Sequence, residues 1–173
     1  MTARAPIAVA LDAPDLETAC EWAGAVGPYV SHVKVGLQTY LRDGADGVAA
    51  IQAATGPDVA LFLDLKLHDI PNTVAGASRS VALLRPDLLT VHAAGGSAMV
   101  AAAVDALPGT RITAISVLTS LTEADLSAIG LVGPAIAAAT RLANLAVEAG
   151  ARAVVCSPLE VAAIRSAVGP SVT

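Results

Sequence analysis

The sequence predicts an α/β protein of the (β/α)8 TIM-type barrel class, with about six βα units present in 173 residues. Short apolar runs rich in β-branched residues alternate with longer alanine-rich stretches of helical pattern, the mark of repeated βα units on a parallel sheet. The runs recur about every 29 residues. A polar residue stands at the expected end of five successive strands, where an open doubly wound sheet would gather its chemistry at a single switch point.

The strands are expected to begin near Ile7, His32, Val59, Asp87, Arg111 and Ala151. Helical patterns follow over 15–26, 41–54, 72–84, 97–107, 134–149 and 158–168. Asp15, Ser97 and Ser157 precede or open their helices as N-caps do, and Pro71, Pro134 and Pro158 suit a first helical turn. Ser171-Val172-Thr173 reads as the opening of a seventh strand. At this spacing a full barrel wants roughly 50 more residues, so the expectation is a single barrel domain over 1–173 that is incomplete at its C-terminal end.

Composition narrows the function classes. A 55% hydrophobic content and a mean hydropathy of +0.67 describe a packed globular chain. The longest uncharged stretch, Leu88 to Val104, contains Gly95-Gly96 and His92 and falls short of the roughly 20 strongly apolar residues of a membrane span. The N-terminus runs directly into Ile7-Ala-Val-Ala-Leu-Asp12 without a signal-peptide core, which predicts a cytoplasmic protein with no membrane partner. A net charge of −5 without a basic cluster predicts no nucleic-acid partner. Cys20 and Cys156 belong to no C-x-x-C pair and read as free, buried thiols.

Only two lysines occur, Lys34 and Lys66, both inside apolar strand-like runs; the other eight basic residues are arginine. A bias toward G and C in the coding sequence accounts for the scarcity of lysine but not for these two positions. Arginine keeps its proton, whereas a lysine ammonium can give one up, so the two survivors point to proton transfer.

In an extended strand Asp64 and Lys66, two residues apart, share a face, with Leu63 and Leu65 on the other. Lys34 on the preceding strand comes alongside, because neighbouring strands lie about 4.8 Å apart, and Asp12 stands one strand further. Such an Asp-Lys-Asp-Lys array keeps each buried ion paired. A structural ion network is the plainer reading. Arrays of this kind contribute little to stability, however, and mark sites where a proton moves. His68 reads as a loop hydrogen-bonding residue, His92 as one that packs or orders the site, and His32 as filling the lower layers of the barrel. Gly95-Gly96 fits either an anion-binding nest or a tight βα turn.

The run Asp64-Leu-Lys66-Leu-His-Asp69-Ile-Pro-Asn-Thr73 resembles the signature of the orotidine 5′-phosphate decarboxylase family. Ala10-Leu-Asp12, Val33-Lys34-Val-Gly36, Val91-His92-Ala-Ala-Gly-Gly96 and Val117-Leu-Thr119-Ser120 resemble its other strand ends, in the same order. The resemblance implies conversion of orotidine 5′-phosphate to UMP and CO2, without cofactor or metal, on a homodimer with active sites at the subunit interface. It implies a catalytic set of Lys34, Asp64, Lys66 and Asp69, with Lys66 donating the proton to C6. Asp64 would lie beside the departing carboxylate, while Lys34 pairs with Asp64 and reaches the ribose. Asp12 would bind a ribose hydroxyl and Thr119 the pyrimidine region; Asp69, Ile70 and Thr73 would reach into the partner's site.

The family holds the substrate phosphate on a loop after strand seven and a Gly-Arg pair at strand eight, and neither is recognisable here. Two other readings stay open: a Mg2+-dependent sugar-phosphate decarboxylase or aldolase relative on the same fold, which shares an Asp-x-Lys-x-x-Asp strand but is disfavoured by Ile70-Pro-Asn-Thr73, and a truncated, non-catalytic dimerising barrel.

Overall fold

The computed structural model describes residues 4–173. Among them, six strands follow one another in the sheet in sequence order: β1 (Ala5–Ala10), β2 (Val30–Gly36), β3 (Ala60–Leu67), β4 (Leu88–His92), β5 (Arg111–Ile115) and β6 (Ala153–Val155). The helices are α1 (Leu16–Val26), α2 (Leu37–Thr55), α3 (Pro71–Ser80), α4 (Ser97–Ala106), α5 (Glu123–Ala128), α6 (Ala135–Glu148) and α7 (Val161–Val168), with single 3-10 turns at Ala82–Leu84 and Ala93–Gly95. The chain divides into two compact units, one of residues up to 65 with 80–89, the other of 66–79 with 90–173.

In the first unit β1 pairs in parallel with β2, and β2 with β3, with Ala10 opposite Lys34 and Gly36 opposite Asp64. Leu11, Val33, Val35, Val48, Ile51 and Leu63 are fully buried. β2 and β3 are largely covered on both faces, so Leu63, Asp64 and Leu65 are buried in succession, whereas β1 is mostly exposed. Asp15 caps α1, its Oδ1 accepting from the Thr18 N–H at 2.8 Å. Helix α2 starts four residues earlier than the periodicity predicts and kinks at Gly44, where φ is 64°. His32 does more than fill space: its Nε2 lies 2.7 Å from Asp87 Oδ2 and its Nδ1 2.9 Å from Ser31 Oγ.

In the second unit β5 pairs in parallel with β6, and a cluster of Val117, Leu126, Ala138, Ala139, Ala143 and Ile164 packs α5, α6 and α7 together. Three expectations need correction here. Ser97 is the first residue of α4 and the cap position is Gly96, with no side-chain cap bond. Pro158 lies in a turn, not in α7: the Ser157 N–H donates to Glu160 Oε2 and the Glu160 N–H to the Ser157 carbonyl, so the helix proper starts at Val161. Helix α5 falls in a stretch expected to be loop. Beyond α7, the Thr173 N–H donates to the Arg152 carbonyl and the Thr173 carbonyl accepts from the Val154 N–H, a pairing alongside β6. Cys20 and Cys156 are free thiols, and burial pushes the pKa of each above the ordinary cysteine value.

Candidate active site

Three of the predicted residues meet in the first unit. Lys34 Nζ lies 3.2 Å from Asp64 Oδ2 and 3.8 Å from Asp12 Oδ2, so one ammonium links carboxylates from the two flanking strand regions. The register explains the meeting: Asp64 stands opposite Gly36, two residues beyond Lys34 on the same strand. Gly36 also leaves room. A Cβ there would stand 3.0 Å from Asp12 Oδ1 and 3.3 Å from Lys34 Nζ. Asp64 is only 7% exposed, whereas the Asp12 side chain is 48% exposed, so the array runs from the interior to solvent.

Asp12 does not close β1; it lies two residues past its end. The turn that carries it is tied down by two residues of α2 that sequence reasoning missed. Thr39 Oγ1 donates to the Leu11 carbonyl at 3.0 Å, and Arg42 Nη1 to the Ala13 carbonyl at 2.6 Å. Arg42 is itself held by Asp43, whose carboxyl its guanidinium keeps below the usual range. A hydroxyl and a guanidinium at i and i+3 at the start of a helix was the signal that could have found them.

The remaining predicted residues lie in the second unit. Lys66 has φ of 50°, in the left-handed region that a side chain other than glycine rarely adopts. Within β3 the regular pleat is therefore interrupted at Lys66, so the alternation that predicts a shared face for Asp64 and Lys66 does not carry through this residue. Such a backbone costs on the order of 1–3 kcal/mol and persists only where surrounding structure holds it, a pattern that clusters at functional sites. Part of the hold is a hydrogen bond from the Lys66 N–H to Thr90 Oγ1 on β4, at 2.8 Å.

Asp69, Ile70 and Thr73 form an exposed stretch that leads into α3, with Asp69 Oδ1 accepting from the Ile70 N–H at 2.6 Å. Ile70 is 65% exposed. His92 closes β4 and its ring stacks against that of His68, centroids 5.2 Å apart. Thr119 is exposed and lies four residues past the end of β5, in the loop before α5, so it does not close its strand.

The chain matches the Orotidine 5′-phosphate decarboxylase / HUMPS family over residues 5–173. It belongs to that family. The orotidine 5′-phosphate decarboxylase of Thermobifida fusca (strain YX) is 66% identical over 169 residues, covering 98% of this chain and 72% of the relative. That of Frankia casuarinae is 53% identical over 185 residues, covering 98% of this chain and 68% of the relative. Among solved structures, the orotidine 5′-phosphate decarboxylase of Lactobacillus acidophilus superposes with a TM-score of 0.86 at 32% identity, over 96% of this chain and 78% of that one. An uncharacterized conserved protein from Geobacillus kaustophilus gives 0.88 at 36% identity, over 96% and 80%. With these family members the fold class is that of the (β/α)8-type barrel, six βα units of it among the described residues. No described helix is long and apolar enough to cross a membrane.

Proposed function

We propose that this chain decarboxylates orotidine 5′-phosphate to UMP, the closing step of de novo pyrimidine nucleotide synthesis. The observation that carries the reading is the Asp12–Lys34–Asp64 ion array, in a chain 66% identical to a relative named for that activity. Departure of CO2 leaves an electron pair in an sp2 orbital at C6 that the ring π-system does not delocalise. The barrier must then be lowered by placed charge and by prompt protonation.

Lys66 donates that proton. Asp64 lies beside the substrate carboxylate, held by Lys34, which extends toward the ribose. Asp12, half-exposed at the outer end of the array, accepts from a ribose hydroxyl, and Thr119 contacts the pyrimidine region. Asp69, Ile70 and Thr73 reach into the partner's site in a homodimer; the exposed apolar side chain of Ile70 supports that role. The reaction needs no metal or cofactor and runs in the cytosol.

The test is loss of substrate absorbance on adding orotidine 5′-phosphate to purified chain with EDTA present, beside Lys66→Ala. Turnover that survives the chelator and disappears in the variant is expected. Turnover that EDTA abolishes would instead favour the Mg2+-dependent relative. No turnover, even after the chain is joined to the unmatched residues of the Thermobifida fusca relative, would overturn the reading.

A further inference from the structure

Lys66 holds a backbone conformation that its own chemistry disfavours, so its neighbours must fix it. Two contacts converge on the segment that follows. The Lys66 N–H donates to Thr90 Oγ1 at 2.8 Å, and two residues on in sequence, past the end of β3, the His68 ring stacks on the His92 ring at the end of β4, tilted by 31°. The two contacts join Lys66 to Thr90 and His68 to His92. His68 is exposed, yet its ring also lies close to the turn after β4. A Cβ added to Gly95, in the turn after β4, would stand 3.2 Å from His68 Cδ2 and collide with the Met99 side chain. A side chain at 95 would therefore crowd the His68 ring and displace Met99.

We propose that Thr90 and His92 form a two-point clamp on the segment Lys66–Asp69, with His68 and His92 as positioning residues that act through the stacking of their rings. The inference rests on the decarboxylase reading for what the clamp achieves: it aims the Lys66 ammonium at C6 and sets the exposed Asp69 that follows His68. Thr90 is fully buried and anchors the strained residue; the ring pair stops the next two residues from relaxing. Such a contact leaves substrate affinity nearly unchanged and acts on the chemical step, where a displacement of about 1 Å costs on the order of 10²-fold.

Because the chain has only two lysines, labelling with [15N]lysine gives two backbone amide signals, Lys66 and Lys34, the second an internal reference. The labelled parent is compared with His68→Ala, His68→Phe and Thr90→Val. The Lys66 amide is expected to exchange with solvent roughly tenfold faster in His68→Ala and in Thr90→Val, with Lys34 unchanged and His68→Phe close to the parent. In turnover, His68→Ala lowers kcat with KM held, and His68→Phe restores it. An unchanged Lys66 exchange rate in His68→Ala would overturn the clamp. A His68→Phe as impaired as His68→Ala would overturn the stacking role. A parent without turnover counts against the decarboxylase reading alone, since the exchange data still judge the clamp.

Discussion

Lys34 Nζ lies 3.2 Å from Asp64 Oδ2, on the neighbouring strand, and the carboxylate belongs to a residue only 7% exposed. Removing the ammonium leaves a buried anion with one less compensating charge. The Lys34 side chain keeps 21% of its exposure, which screens the pair and tempers the loss. Lys34→Ala is therefore expected to cost about 1–3 kcal/mol, below the range for fully buried pairs. Urea unfolding checks this by a lower midpoint at constant slope, and a Lys34/Asp64 double-alanine cycle isolates the pairwise part. A coupling of zero would mean that Asp64 is balanced by its other surroundings.

Gly36 separates stability from activity. Its φ of −93° is open to any residue, so alanine brings no backbone strain. The added methyl would press only on the far ends of Asp12 and Lys34, which can swing away. Gly36→Ala should therefore change unfolding free energy by less than about 1 kcal/mol. It should nonetheless lower kcat/KM by roughly tenfold, because the array it displaces is the one meant to meet the substrate. A variant with parental kcat/KM would count against the array's proposed role.

The contrast between these residues shows what was legible beforehand. The strands and most helices follow from apolar runs and caps, and the observed strand starts fall within two residues of the expected ones, because short runs rich in apolar and β-branched residues leave a dense hydrophobic signature. The Asp12–Lys34–Asp64 contact was legible because parallel strands place successive strand ends side by side. Helix α5 was missed, although Thr122-Glu-Ala-Asp125 carries a capping-box pattern, because six residues are too few to show a helical period. The His32–Asp87 pair joins residues 55 apart in sequence, and the left-handed Lys66 arises from tertiary contacts; neither leaves a local pattern.

That capping box gives a pH prediction. Asp125 Oδ2 accepts from Thr122 Oγ1 at 2.7 Å and from the Thr122 N–H at 2.9 Å, and these bonds, the side-chain one first, hold its carboxyl below the usual range. A carboxylate lowered in the folded state adds stability that is fully present above its unfolded pKa, about 3.9, and is lost as pH falls through the lower folded value. The first turn of α5 should therefore loosen in acid below that point. Exchange of the Leu126 and Ile129 amides, which donate to the Thr122 and Asp125 carbonyls, reports it. Asp125→Asn should flatten this acid dependence, and an unchanged profile in that variant would assign it to another group.

Lys66 offers the most direct test of strain at the site. At ordinary strand or helix positions alanine is more stable than glycine by roughly 0.5–1 kcal/mol, because glycine loses more freedom on folding. At φ of 50° the order should reverse, since the Cβ of any L-residue crowds the following carbonyl there at a cost of about 1–2 kcal/mol. Lys66→Gly and Lys66→Ala both lose the ammonium and both should lack turnover, so the difference between them isolates the backbone. Lys66→Gly is expected to unfold at the higher urea concentration, by about 1 kcal/mol relative to Lys66→Ala. If alanine proves the more stable, the left-handed geometry depends on the lysine side chain and relaxes once that side chain is gone.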